Sequence, residues 1–129
     1  MRTWNLLEIE TPDGSRSPVV LHSDNEARAV LVGLSPGQAL GQHQVKEYAY
    51  IAVVDGEITV ETGDETVHAG PGTLFRFEPD ERHSVATKGG ARLLLLLAPW
   101  PGVGHYRGNE RARAASEQPS AASPGPPPA

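Results

Sequence analysis

The chain contains no cysteine, a single methionine and few aromatic residues, two Trp, three Tyr and two Phe in 129 positions. Without thiols there is no disulfide framework, no thiolate nucleophile and no thiolate-ligated zinc, so any chemistry must come from histidine, carboxylates, hydroxyls and amides. Positive charge is scarce as well. The chain carries 11 Lys+Arg against 16 Asp+Glu, a net charge of -5, and residues 1–106 are more acidic than residues 107–129. An acidic body argues against a nucleic-acid partner, because phosphate contacts require clustered cations. Long apolar runs are missing too. The longest, "LLLLLAPW" from Leu93, falls well short of the ~20 residues of a membrane span. The N-terminal "MRTWNLLEIE" has acids where a secretory signal has an apolar stretch. The expectation is a soluble cytoplasmic protein that binds neither nucleic acid nor membrane.

What is present is β-structure. From Trp4 to Trp100 the chain alternates short β-prone runs with turn residues, and no window repeats its apolar residues at helical spacing for three turns. The expected strands are "TWNLLEI", "PVVLH", "ARAVLVGL", "EYAYIAVV", "EITVET", "ETVHA", "TLFRFE", "HSVAT" and "RLLLLLA". Between them lie "TPDGSRSP", "SPGQALG", Asp55-Gly56, Gly63-Asp64, "GPG" and "KGG", residues that tolerate positive φ or fix a turn. "RLLLLLA" is apolar on both faces, as befits a strand covered on both sides. The reading is an all-β domain over residues 1–106, with an N-terminal strand and a C-terminal exit segment. Residues 107–129, rich in Pro, Ala and Ser, form a disordered tail in this reading, because they lack the apolar surface to offset ordering entropy.

One stretch carries a spacing. Gly37, five residues, His43, one residue, Val45, three residues, Ala49, six residues and Gly56 make a first motif; Gly72, five residues, Glu78, one residue, Asp80, two residues, His83, three residues and Thr87 make a second. The pair resembles the two motifs of the cupin superfamily over about residues 18 to 98. The resemblance implies a small single-domain, RmlC-like jelly roll: a double-stranded β-helix, or cupin barrel. In that family the first motif supplies two histidines and a glutamate, and the second a further histidine, to a divalent metal. His43 matches the first histidine and His83 the last, but Val45 stands where the second histidine belongs and Ala49 where the glutamate belongs. Glu78, Asp80 and Thr87 replace a proline, a glycine and an asparagine. The resemblance thus implies a cupin with an incomplete metal-ligand set.

Two imidazoles leave most coordination positions of a metal to water. Glu47, which shares strand parity with His43 and Val45, offers a third ligand, and His43, His83 and Glu47 would form a two-histidine-one-carboxylate set suited to non-haem iron. Its neighbour Lys46 argues instead for a solvated glutamate. No cofactor is firmly predicted; a divalent Fe, Zn, Mn or Ni is the possibility attached to that set. Without metal, His43 and His83 serve as hydrogen-bonding groups for a small organic molecule. Val45, Ala49 and Phe75 then line a mainly apolar pocket. Two functions follow: a ligand-binding or auxiliary cupin, or a metal-dependent oxygenase, isomerase or cyclase using His43, His83 and Glu47. The resemblance also implies a homodimer, for which an exposed first strand bearing Trp4 and Leu6 is suited. His105 or Tyr106 is a candidate cap over the pocket, Tyr48 and Tyr50 fall on the opposite face from Ala49, and Arg76 is expected to pair with acidic neighbours at the surface.

Overall fold

The computed structural model describes residues 1–11 and 18–103, and at Gln42 and His43 the backbone alone. The expected tail and the candidate cap at His105 and Tyr106 lie outside the described residues. Nine strands run in the order β1 (Val19–Ser23), β2 (Arg28–Leu34), β3 (Ala39–His43), β4 (Tyr48–Gly56), β5 (Ile58–Glu61), β6 (Thr66–Ala69), β7 (Leu74–Phe77), β8 (His83–Ala86) and β9 (Ala91–Ala98). They build two antiparallel sheets, a five-stranded one ordered β1-β2-β9-β4-β7 and a four-stranded one ordered β3-β8-β5-β6. From β3 onward the chain mostly crosses from one sheet to the other at each turn. The result is an all-β jelly roll of the double-stranded β-helix kind. Among the described residues no helix is long and apolar enough to cross a membrane.

The alternation read from the sequence sets which side chains go inside. On β2 the positions Val30, Val32 and Leu34 are core, on β4 Ala49, Ile51 and Val53, on β9 Leu93 and Leu97, and from the smaller sheet Ile58, Val60 and Val85 meet them. Each fully buried aliphatic side chain contributes roughly 1.5–3 kcal/mol of transfer free energy. β9 sits between β2 and β4 and supplies most of the registered pairs of the larger sheet. Leu93 and Leu97 point inward, and on the other face only the start of the strand is covered, where Arg92 donates from Nη1 to Leu6 O at 2.9 Å and to Ile9 O, while Leu96 is exposed.

Two expectations about elements need correcting. Residues 3–9 form no strand; residues 6–8 make a turn, with Ile9 N–H bonded to Asn5 O at 3.3 Å. Asn5 drives this locally, since its Oδ1 also accepts the Leu7 N–H at 3.1 Å, a side-chain-to-backbone bond that competes with extended pairing. The strand-exchange role assigned to Trp4 and Leu6 therefore has no strand to act through. Conversely, "ALG" was expected in a turn and opens β3, an edge strand whose register with β8 shifts between Leu40 and His43. A glycine and a single large aliphatic residue in five positions hide an edge strand whose register is irregular.

Candidate functional site

His43 and His83 are Cα partners across the β3–β8 pair. Residues directly opposite in an antiparallel ladder share a face, so the backbone brings the two histidine positions of the motifs together. The side chain of His43 lies outside the described residues. That of His83 is only 2% exposed. Its Nδ1 lies 3.1 Å from Glu81 O, and because a carbonyl can only accept, Nδ1 carries a proton and donates it there. One face of the ring stacks on Phe77, with centroids 3.8 Å apart and planes 10° from parallel. Phe77 comes from β7, so this stack joins the two sheets, and Phe75 stacks beside Phe77 at 6.3 Å.

The larger sheet contributes one continuous row at this end. Ser23 pairs with Arg28, Arg28 with Leu97, Leu97 with Ala49, and Ala49 with Phe77. Ala49, Leu97 and Phe77 belong to the core, and Val45, Phe75 and Leu40 pack against it. Arg28 has the same parity as Val30 and Val32 and is only 6% exposed. Its guanidinium carbon lies 4.7 Å from the centre of the Trp100 ring, and its Nη1 donates to Ser23 Oγ at 3.3 Å. Sequence reasoning missed Arg28 and Trp100. Strand parity was the signal available for the first, since Arg28, Val30, Val32 and Leu34 alternate on one face.

Glu47 is not the solvated residue that its neighbour Lys46 suggested. It is fully buried, and its Oε2 accepts the Gly102 N–H at 2.8 Å. This bond pins the chain after β9 across the end of the sandwich. Glycine is required there, because a Cβ on residue 102 would lie 2.6 Å from Lys46 O. Lys46 itself turns outward to Asp80 at 2.7 Å.

The ligand set that the family resemblance implies is incomplete here. Val45 and Ala49 offer no ligating atom and take part in apolar packing, and Glu47 is engaged by a backbone N–H. Among the described residues no group of three His, Cys, Asp or Glu is placed to hold a metal ion.

The remaining candidates are peripheral. Tyr48 and Tyr50 occupy the outer face, where the Arg76 guanidinium carbon lies 4.3 Å from the Tyr48 ring centre and Arg76 Nε donates to Tyr50 Oη at 3.1 Å. That bond, and then the ion pair with Glu78, raise the pKa of Arg76. Thr87, in the asparagine position, is structural: its hydroxyl donates to Glu57 O at 2.7 Å and accepts the Gly90 N–H at 3.0 Å. A hollow of about 340 Å³ opens at the far end, walled by Thr11, Gly33, Asp55, Gly56, Gly90 and Arg92. Arg92 is already committed there to the N-terminal carbonyls, and the hollow holds none of the motif histidines.

A cupin domain family model matches residues 30–99. No curated protein sequence matches significantly. Similar solved structures include an RmlC-like cupin from Desulfovibrio desulfuricans, 24% identical over 77% of this chain and 97% of that one with a TM-score of 0.68. A conserved protein with a double-stranded β-helix domain from Klebsiella pneumoniae is 20% identical over 79% and 93%, TM-score 0.68, and a Thermus thermophilus protein is 23% identical over 77% and 98%, TM-score 0.67. At such identities these likenesses speak for the fold. The family match spans more than half of the chain, and on that ground this protein is a member of the cupin family, one whose described residues lack a complete metal-ligand set.

Proposed function

We propose that the protein is a binding or auxiliary cupin that recognises a small organic molecule at the His43–His83 end of the jelly roll, with protein hydrogen-bonding groups in the role that a metal plays in ligated relatives. The observation that carries this reading is the state of His83. A ring stacked face-on against Phe77 and oriented through Nδ1 by Glu81 O is fixed in position, and an imidazole held in one orientation suits directional hydrogen bonding in a binding site. Phe75, Ala49 and Val45 supply apolar surroundings, which favour an apolar or aromatic ligand body over a sugar. The reading includes a cytoplasmic protein.

The reading also includes a homodimer. Its support is the outer face of the larger sheet, where Leu74 is 63% exposed and Leu96 is exposed beside half-buried Tyr50. Sedimentation equilibrium of Leu74→Glu, expected to shift the protein toward monomer, checks that part.

Metal analysis of untagged protein tests the main reading. Substoichiometric metal, unchanged in His43→Ala, together with a melting temperature indifferent to chelator, is the expected result, since a metal bound by the native state raises stability by mass action. One equivalent of iron, zinc, manganese or nickel that is lost in His43→Ala would instead establish the metal-dependent enzyme using His43, His83 and Glu47.

A further inference from the structure

We infer that residues 1–11 form a strap across the outer face of the larger sheet, and that a hydrogen bond from Arg2 to His22 latches its first residues until protonation of His22 releases them. This device lies on the outer face of the sheet, away from the motif histidines, and is independent of the proposed binding function.

Strand alternation defines the face. On β2, Val30, Val32 and Leu34 point into the core, so Ala29, Leu31 and Gly33 point out, beside their β9 partners Leu96, Leu94 and Arg92. On β1, His22 is the partner of Ala29 and shares its face. Leu31 is 0% exposed although it stands outside the core cluster, so the outer face is covered at its position. The N-terminal segment is tied down on either side of it. At the Gly33 row, Arg92 Nη1 donates to Leu6 O and Ile9 O, and the Thr11 side chain fills the space that a Cβ on residue 33 would need. At the Ala29 row, Arg2 Nη1 lies 2.9 Å from His22 Nδ1. The two rows are roughly 13 Å apart at the rise of a strand, with Leu31 midway.

Only one of these anchors can titrate. At Arg92 a guanidinium meets backbone carbonyls, and neither changes charge with pH. At His22 the guanidinium of Arg2 can only donate, so Nδ1 accepts and bears no proton. Nε2 lies 2.9 Å from Asp24 Oδ2, to which it donates. The latched ring is therefore neutral, with its tautomer fixed by a donor on one side and an acceptor on the other. A second proton would go on Nδ1, set a donor against a donor and place two cations face to face. Because the latched state excludes a proton that the open state can bind, opening is favoured as pH falls, and histidine is the side chain suited to such a change under mildly acidic conditions.

The charges around the ring leave it in that role. Asp24 is held at about 2, chiefly by the Glu26 N–H and then by His22, and stays ionised in both states. Glu26 and Arg28 belong to the adjoining turn and strand, Arg28 being turned to the other face at Ser23 Oγ. On β9 the residue in line is Leu96. Within the strap the Met1 amino group adjoins Arg2, while Glu8 and Glu10 flank Ile9 at the Arg92 anchor. Opening stops at Asn5, whose Oδ1 accepts the Leu7 N–H and whose carbonyl accepts the Ile9 N–H. Arg2 also lies over Trp4, 5.2 Å from the ring centre, so that indole reports the release.

The test is NMR on the full chain, following backbone relaxation of residues 2–9, the Trp4 indole and the His22 ring from about pH 8 to about pH 5 in wild type, His22→Asn, His22→Lys and Arg2→Met. Asparagine offers an acceptor that does not titrate; lysine is a fixed cation. In wild type, residues 2–4 are expected to be ordered at the upper pH and to loosen as the His22 ring itself titrates, the ratio of open to latched forms rising roughly two- to tenfold for one lost hydrogen bond. Residues 6–9 should stay ordered throughout. His22→Asn should remain latched at both extremes, and His22→Lys and Arg2→Met open at both. Residues 2–4 that are equally ordered, or equally mobile, on both sides of the ring's titration would overturn the inference. So would an unchanged pH response in His22→Asn, which would assign it to another group such as the Met1 amine, or a His22→Lys chain that stays latched. Wild type alone decides the matter should a variant fold poorly.

Discussion

The two ends of the jelly roll are built from different materials. At one end Leu34, Ala91 and Gly56 stand side by side across the larger sheet, and the chain turns on backbone and small groups. Gly56 has φ +79°, and a Cβ there would sit 2.2 Å from Gly90 O. The hydroxyl of Thr87 ties this turn to the strand beside it. Six residues away along β2, roughly 20 Å at the rise of a strand, the other end buries a guanidinium, a carboxylate and an imidazole. Closing sheets over a core needs only the first kind of construction. The second removes ionisable groups from water at a cost of several kcal/mol each before their partners offset it. The charged end is accordingly where function is to be sought.

That contrast can be attacked from either side. The largest effect is expected for Phe77→Ala, which deletes the ring joining the sheets beneath His83; urea denaturation should show a loss of about 3–5 kcal/mol, together with loss of ligand binding. At the opposite end Thr87→Val leaves a carbonyl and an N–H without their hydroxyl partner, and should cost about 1–3 kcal/mol in the same measurement while leaving ligand affinity unchanged. Equal damage to binding from both substitutions would erase the distinction between the ends. The smallest effect belongs to the exposed β1–β2 turn. Backbone N–H groups of Glu26 and Ala27, with His22, hold Asp24 at about 2, below its ordinary 3.8, the Glu26 bond being the largest cause. A depressed carboxylate contributes stability above its unfolded-state value and loses it as pH falls through the folded-state value. Asp24→Asn should therefore flatten the stability profile between pH 3.8 and 2 and leave binding at neutral pH untouched.

Much of this molecule was legible before its coordinates. Alternation and turn residues located eight of the nine strands, and the resemblance of the two motifs to the cupin pattern implied the meeting of positions 43 and 83 that the β3–β8 pairing shows. What stayed hidden depends on register or on contacts far along the chain. β3 was hidden because Ala39, Leu40 and Gly41 look like turn material, and only pairing with β8 reveals the strand. Glu47 was misjudged from its neighbour Lys46, because the group that draws it inward is a backbone N–H 55 residues later. Arg28 follows an acidic turn and reads as a surface residue until β9 is laid beside β2. Asp80 is the reverse case. It stands where the family pattern has glycine and adopts φ 65°, a left-handed conformation that aspartate tolerates better than most residues. The substitution there changed the residue and kept the backbone shape.

The account stands or falls on recognition by His83 without a metal. The direct measurement is ligand-observed NMR with a library of small aromatic molecules, run on chelator-treated wild type and on His83→Ala. The account predicts binders that survive chelation and are lost in His83→Ala. Binding that appears only when a divalent metal is added back, or that is indifferent to His83→Ala, would contradict it.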